Sequence, residues 1–254
     1  MRAGFQTICR QLSTQSAERG KKWAGYSAMK YLIESKPSVI GLGSGSTIVY
    51  AIEYLKMHQT EFAKNVICIP TSFQTRHLIL ESRLNLGSLD RYPSINVTID
   101  GADEVDERLN AIKGGGACLF QERLVAQASR KFIIVADERK KSKQLGTKWT
   151  KGVPVEVIPM ALNTVQWQLK RIFPTSLIKL RMATPTDKAG PVVTDNGNLI
   201  LDCHFGPISD PGALYKEIKC LSGVLDVGLF CNMAERAFFG DNDRENAGEM
   251  ITLF

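Results

Sequence analysis

Seven segments between Ser38 and Ala136 alternate short apolar runs with stretches of helical periodicity, and that alternation narrows the possible folds more than any other feature. Ser38-Val-Ile-Gly-Leu-Gly43, Val66–Pro70, Ile95–Ile99 and Phe132–Ala136 are short and rich in Val and Ile, which predicts buried strands. Thr47–Met57, Phe73–Leu84 and Ala117–Ser129 predict the helices between them. A further helix over Lys21–Glu34 precedes them, with Trp23, Ala24, Ala28, Tyr31 and Leu32 at helical spacing and Pro37 closing it. Parallel strands need crossover connections, and helices supply them. The expected class is α/β, a parallel sheet with helices on both faces.

Beyond about residue 147 the texture changes. Val153–Ile158 predicts a strand, Met160–Phe173 a helix, then Ile178–Met182, Pro191–Thr194 and Leu199–Cys203 three short strands, and Pro211–Leu221 another helix. Asp195-Asn-Gly-Asn198 is a hairpin turn signal between the last two strands. That order suits a smaller α+β domain on an antiparallel sheet. Gly223–Phe230 predicts a strand that returns to the first domain. The division is then residues 21–147 with 222–254 for the α/β domain, and 148–221 for the smaller one.

The chain carries a net charge of +6, but residues 1–30 hold six basic side chains against Glu18 alone, a surplus of five, so the rest is close to neutral. Nucleic-acid binding needs Lys and Arg clustered on the folded body, so no nucleic-acid partner is expected. No apolar run reaches the roughly 18 residues that a membrane span needs, so no membrane partner is expected either. Residues 1–20 contain three Arg, several Ser and Thr, and no acidic residue before Glu18. They read as a disordered basic leader. Two locations follow: the cytoplasm, or a mitochondrion or plastid if the leader is a transit segment. The six cysteines form no C-x-x-C pair, and several fall in apolar runs, which predicts buried reduced thiols.

The chemistry concentrates between Ile99 and Glu122. Asp100 is placed at the carboxyl end of the third strand, where ligands of open α/β sheets collect, and Asp103 follows one turn later. Lys113 precedes Gly114, Gly115 and Gly116, and Glu122 lies on the helix after them. Three readings fit these residues. Asp100, Asp103, Glu104, Asp106 and Glu107 could form a solvated acidic loop, since Asp-Gly is common in turns. Clustered oxygens could hold a divalent metal, although Lys113 crowds the same place and no His is near. Or a Glu122 carboxylate flanked by Leu119, Val125 and Ala126 could be lifted toward neutrality and act as a general base, rather than pairing with Arg123 or Lys131 at the surface.

Two further motifs sit at strand ends. Gly41-Leu-Gly-Ser-Gly-Ser-Thr47 joins a strand to a helix, and its backbone N–H groups and hydroxyls suit an anion. It is neither G-x-G-x-x-G, because Ser46 replaces the third glycine, nor a P-loop, because no Lys follows. A helix cap would use one hydroxyl, whereas Ser44, Ser46 and Thr47 supply three. Val135-Ala-Asp-Glu-Arg-Lys140 ends the fourth strand, where its basic residue could meet an anion or simply start a helix.

These motifs, together with Pro70-Thr-Ser-Phe-Gln74, Pro154-Val-Glu-Val-Ile-Pro159, Val193-Thr-Asp-Asn-Gly-Asn198 and Gly228-Leu-Phe230, resemble ribose-5-phosphate isomerase type A from about Lys21 to Phe239. Asn232-Met-Ala-Glu-Arg-Ala-Phe-Phe-Gly240 resembles the eukaryotic branch. The resemblance implies interconversion of ribose 5-phosphate and ribulose 5-phosphate in the non-oxidative pentose phosphate pathway, with no metal and no organic cofactor. It implies a Rossmann-like domain, a smaller α+β (ferredoxin-like) domain, and a homodimer or homotetramer. By motif match Glu122 takes the general-base position, and Asp100, Asp103 and Lys113 the catalytic loop positions. Ser44, Gly45, Ser46, Thr47, Gly101, Ala102, Gly114, Gly115, Gly116 and Lys140 take substrate-contact positions, with Lys21 a further phosphate contact. Two positions depart from the family pattern: Ala117, where a fourth glycine is common, and Phe120, where Thr is common and the added bulk is expected near the site.

The implied chemistry is an aldose–ketose isomerisation through an enediolate. Asp100 would open the furanose ring, Glu122 would move the proton from C2 to C1, Lys113 and the glycine amides would hold the oxyanion, and Asp103 would orient hydroxyls. Two rivals share the scaffold. A sugar-phosphate-binding regulatory module would lack a base, and acyl-CoA transfer would use a covalent carboxylate.

Overall fold

The computed structural model describes residues 2–58 and 61–251, with side chains described from residue 15 to residue 250. The elements run in the order α1 (Arg2–Ser35), β1 (Val39–Leu42), α2 (Ser46–Met57), α3 (Glu61–Asn65), β2 (Ile67–Pro70), α4 (Phe73–Glu81), β3 (Asn85–Leu86), β4 (Ile95–Gly101), β5 (Glu104–Val105), β6 (Ala111–Ile112), α5 (Leu119–Gln127) and β7 (Ser129–Asp137). They continue with β8 (Val153–Val157), α6 (Leu162–Ile172), β9 (Leu177–Leu180), β10 (Leu199–His204), α7 (Pro211–Lys219), β11 (Val224–Val227), β12 (Leu229–Phe230), β13 (Arg236–Gly240) and β14 (Ala247–Ile251).

A seven-stranded sheet has the order β14-β13-β7-β4-β1-β2-β3. Only the β13–β14 pair is antiparallel in it. Both faces are covered, because side chains alternate along buried strands. On β7, Ile133 and Val135 pack with α1 and α2, through Met29, Leu32, Ile48 and Ile52. Phe132, Ile134 and Ala136 face the opposite way, toward Ala126 of α5. A second sheet, antiparallel and in the order β11-β8-β10-β9, closes its own apolar core against Val165 and Leu169 of α6 and Ile218 of α7. A third, small sheet has the order β12-β6-β5. The expected class, a mostly parallel sheet between helices with a separate antiparallel sheet, is the one observed.

Four local expectations are corrected. Residues 2–20 continue α1 rather than forming a disordered leader. Ala17 is buried, the Ser16 hydroxyl donates to the Asn242 carbonyl, and Gly20 lies against Gly240. A Cβ on Gly240 would sit 1.7 Å from the Gly20 carbonyl oxygen, so only two glycines allow this approach. Pro191–Thr194 forms no ladder, only isolated bridges to Met182 and Leu199. Pro191 has no N–H to give, and the Thr194 hydroxyl takes the amides of Asn196 and Asn198. Gly223–Phe230 divides at Gly228 into β11, which joins the antiparallel sheet, and β12, which pairs with β6. The described cysteines are free thiols, but Cys220 is exposed and only Cys68 and Cys203 are fully buried.

Candidate active site

The carboxyl ends of β1, β4 and β7 lie side by side, with Leu42 opposite Ile99 and Asp100 opposite Ile134. Three loops therefore open on one point: residues 43–47 after β1, 101–103 after β4, and 138–140 after β7. Gly43 must lack a side chain, since a Cβ there would meet Asp100 Oδ1 at 1.8 Å. The small third sheet brings in Lys113. Its amide donates to the Gly228 carbonyl, and a Cβ on Gly228 would press on the Lys113 carbonyl at 2.2 Å.

Lys113 Nζ lies 3.0 Å from Asp100 Oδ2 and 3.3 Å from Glu122 Oε2, and it donates to the Gly101 carbonyl. Asp100 also accepts from the amides of Ser44 and Gly101 through Oδ1. All three side chains are buried. Burial, reinforced by the Asp100 charge, pushes the Glu122 carboxyl up to about 8, against the pull of Lys113. Burial also raises Asp100. For Lys113, burial disfavours the charge, but Asp100 and Glu122 outweigh it and the ammonium is held more firmly than usual.

Above this triad lies a cavity of about 260 Å³. Lys21, Ser44–Thr47, Gly101, Ala102, Asp103, Lys113–Gly116, Glu122, Ala136, Asp137, Arg139 and Lys140 line it. Its far wall is the N-terminus of α2, which has no side-chain cap and no acidic residue in its first turn. Ser44 spends its amide on Asp100 and its hydroxyl on Thr71. The Gly45 amide donates to the Gln74 side chain. The hydroxyls of Ser46 and Thr47 have no partner among the described residues. A helix start with free donors, flanked by Lys21 and Lys140, is an anion site by its electrostatics.

The sequence matches the family model for ribose 5-phosphate isomerase A (phosphoriboisomerase A) over residues 67–244. The chain belongs to the ribose 5-phosphate isomerase A family. The human ribose-5-phosphate isomerase is 50% identical over 238 residues, covering 93% of this chain and 75% of that protein. The Eremothecium gossypii ribose-5-phosphate isomerase is 51% identical over 232 residues, covering 89% and 91%. Among solved structures, a D-ribose-5-phosphate isomerase in complex with phospho-erythronic acid superposes with a TM-score of 0.84 at 38% identity, over 92% of this chain and 99% of that one. The Plasmodium falciparum ribose 5-phosphate isomerase also gives a TM-score of 0.84, at 33% identity, over 92% and 98%.

Of the residues given catalytic or substrate-contact positions from the sequence, all but Asp100 line the cavity. Asp100 is enclosed behind Lys113, so it meets the ammonium and not the cavity. Of the acidic side chains in this loop only Glu107 is exposed, while Asp100, Glu104 and Asp106 are buried. Glu104 is buried and accepts the amides of Gly146, Thr147, Lys148 and Trp149; although burial works the other way, these bonds hold its carboxyl below the usual range. Asp106 accepts from the amides of Arg108 and Asn110. Among the described residues no group of three or more His, Cys, Asp or Glu is placed to hold a metal ion. Glu122 pairs with neither Arg123 nor Lys131. Arg123 bonds Asp226 and the carbonyls of Val227 and Leu229, and Lys131 bonds Glu235.

The two departures from the isomerase pattern sit differently from expectation. Phe120 is not among the residues lining the cavity. Ala117 is not helical but left-handed, with φ of 61°, a conformation that favours glycine. Two arginines at the site were not singled out from the sequence. Arg139 lines the cavity and is held by Asp137, at Nε–Oδ1 2.6 Å. Arg181, beyond β9, grips Asp202 and donates to the carbonyls of Gly114 and Gly115, fixing the glycine turn from the antiparallel sheet. The position of Arg139 one residue before Lys140 was a usable signal; Arg181 had none.

Proposed function

We infer that this chain interconverts D-ribose 5-phosphate and D-ribulose 5-phosphate through an enediolate. The observation that carries the reading is a buried carboxylate, raised to about 8, that shares one ammonium with a second carboxylate below an anion-binding helix start. The phosphate would lie on the α2 N-terminus between Lys21 and Lys140, which orients a small sugar toward Glu122.

Ring opening moves a proton from the anomeric hydroxyl to the ring oxygen. Asp103, which lines the cavity, takes the proton of the anomeric hydroxyl while Lys113 gives one to the ring oxygen, and Asp103 then returns its proton to Lys113, so both are charged again before the next step. Asp100 serves this step from behind, by keeping Lys113 charged and in place. Glu122 then takes the proton from C2, and the electron pair moves onto O1. Lys113 holds that oxyanion, assisted by the amides of Gly114 and Gly116; the Gly115 amide is already engaged by Asp103 Oδ2 at 2.7 Å. The O2 proton passes to O1, Glu122 returns its proton to C1, and C2 becomes the carbonyl. No metal or organic cofactor is needed for this sequence. A homodimer or homotetramer and a cytoplasmic location belong to the same proposal and rest on the family resemblance.

The test is Glu122→Gln. A positioned base contributes on the order of 10²–10⁴-fold, so turnover should fall by at least that range while phosphosugar binding persists. Retention of more than about a tenth of the parental rate would remove Glu122 from the role of base.

A further inference from the structure

Glu156, on β8, is fully buried, yet it belongs to no ion pair and takes no part in the chemistry above. Its Oε1 accepts from the Thr194 hydroxyl at 2.9 Å and from the Asn198 side-chain amide at 3.0 Å. Burial raises its carboxyl; the side chains of Asn198, Thr194 and Asn196 and the backbone N–H of Phe120 pull the other way. Phe120 lies in the first turn of α5, two residues before Glu122. Glu156 Oε2 is buried with no hydrogen-bond partner among the described residues, so the carboxylate's hydrogen bonds tie a strand of the antiparallel sheet to the 194–198 turn.

The turn makes two more contacts. Asn196 Oδ1 accepts from the Gln121 side chain at 3.1 Å, next to Glu122 in sequence. Asp195 Oδ2 accepts from the Phe73 amide at 2.7 Å, at the start of α4. The next residue of α4, Gln74, accepts from the Gly45 amide in the anion loop. One turn therefore has an arm on the base helix and an arm on the element that holds the anion loop.

We propose that Glu156 is a positioning residue for the isomerisation, anchoring the 194–198 turn so that it fixes the base helix relative to the anion loop. The proposal rests on the reading of Glu122 as base. Its kinetic signature is separable by arm. Loosening the Glu156–Asn196 arm displaces the base and leaves the phosphate seat intact, so it acts on kcat. Loosening the Asp195 arm disturbs the support of Gly45, so it acts on KM.

The experiment measures kcat and KM for ribose 5-phosphate in Glu156→Gln, Asn196→Ala and Asp195→Ala, each normalised to the folded fraction by circular dichroism. Misplacing a reacting group by an ångström costs up to about 10²-fold, so Glu156→Gln should lose about tenfold or more in kcat with KM within about twofold. Asn196→Ala should move the same way by a smaller factor, and Asp195→Ala should raise KM with kcat held. If Glu156→Gln does not fold, the exposed Asn196→Ala decides the matter alone. Parental kcat in the folded variants of the first arm, or a loss fully accounted for by unfolded protein, overturns the proposal. Failure of the base reading shows up elsewhere, as substantial turnover in Glu122→Gln.

Discussion

The Lys113 ammonium stands 3.3 Å from the Glu122 carboxylate, with both side chains almost wholly out of water. A single cation therefore offsets two buried carboxyls, because Asp100 lies on its other side. Burial, together with that shortage of positive charge, keeps Glu122 basic enough to take a carbon-bound proton near neutral pH.

The first consequence is a pH profile. Glu122 must be ionised to act, and its carboxyl is raised from 4.5 to about 8. The limiting slope of kcat/KM should be about tenfold per pH unit on the acid side of 8, with a plateau above. Stability should run the other way. A carboxyl raised in the folded state contributes stability that is full below its ordinary pKa and is lost as pH rises through the folded value. Chemical denaturation between pH 4.5 and 8 should show this loss. A flat rate profile across pH 6–8 would mean that Glu122 is not the titrating base.

Removing the shared cation should be costly in two ways. Lys113→Met leaves Asp100 and Glu122 buried without a counter-charge, which is expected to destabilise by about 3–5 kcal/mol. It also removes the oxyanion donor, worth on the order of 10²–10³ in kcat. Adding Asp100→Asn should recover much of the stability and none of the rate. Urea melts and initial rates on both variants check this, and recovery of activity in the double variant would contradict the role given to Lys113.

The anion seat should respond in KM. Lys140→Ala removes a cavity-lining ammonium that lies 5.3 Å from the centroid of the Trp149 ring. A charged hydrogen bond is worth about 1.5–3 kcal/mol, so KM should rise by roughly 10–100-fold with kcat little changed. The loss should shrink at high salt, where the parental enzyme also binds more weakly.

Ala117 offers a backbone test. With φ of 61° it already tolerates a conformation that costs non-glycine residues about 1–2 kcal/mol. Ala117→Val adds a β-branched side chain to that strain and should lower stability by a further 1–3 kcal/mol or so. Thermal melting reads this directly, and an unchanged melting temperature would show that the turn relaxes without cost.

These outcomes bear on what the sequence could reveal. The strands β1, β2, β4 and β7 were legible because each is a short run of Val and Ile buried on both faces. The anion loop and the Asp100–Glu122 stretch were legible because their spacing follows strand ends, whereas Lys140 came to the site only through the family resemblance. β13 was not, although it pairs with β7 inside the sheet, because its five residues mean nothing until a strand a hundred positions earlier receives them. Asp100 was placed at the right strand end but assigned to the sugar. Only packing shows that Lys113 covers it. The buried Glu104 reads as solvent-facing in an acidic run, and its four amide donors come from residues 146–149, which no local pattern connects to it.

The meeting of Gly20 with Gly240 has a consequence for how the enzyme assembles. Gly240 ends β13, so α1 can settle fully only when that strand is in the sheet, and Lys21 follows Gly20 directly. Any side chain at either glycine would lift the helix and carry Lys21 away from the cavity mouth. The completion of a sheet by β13 and the arrival of Lys21 at the cavity mouth are thus one packing event, so a chain whose β13 has not joined the sheet lacks the finished cavity wall.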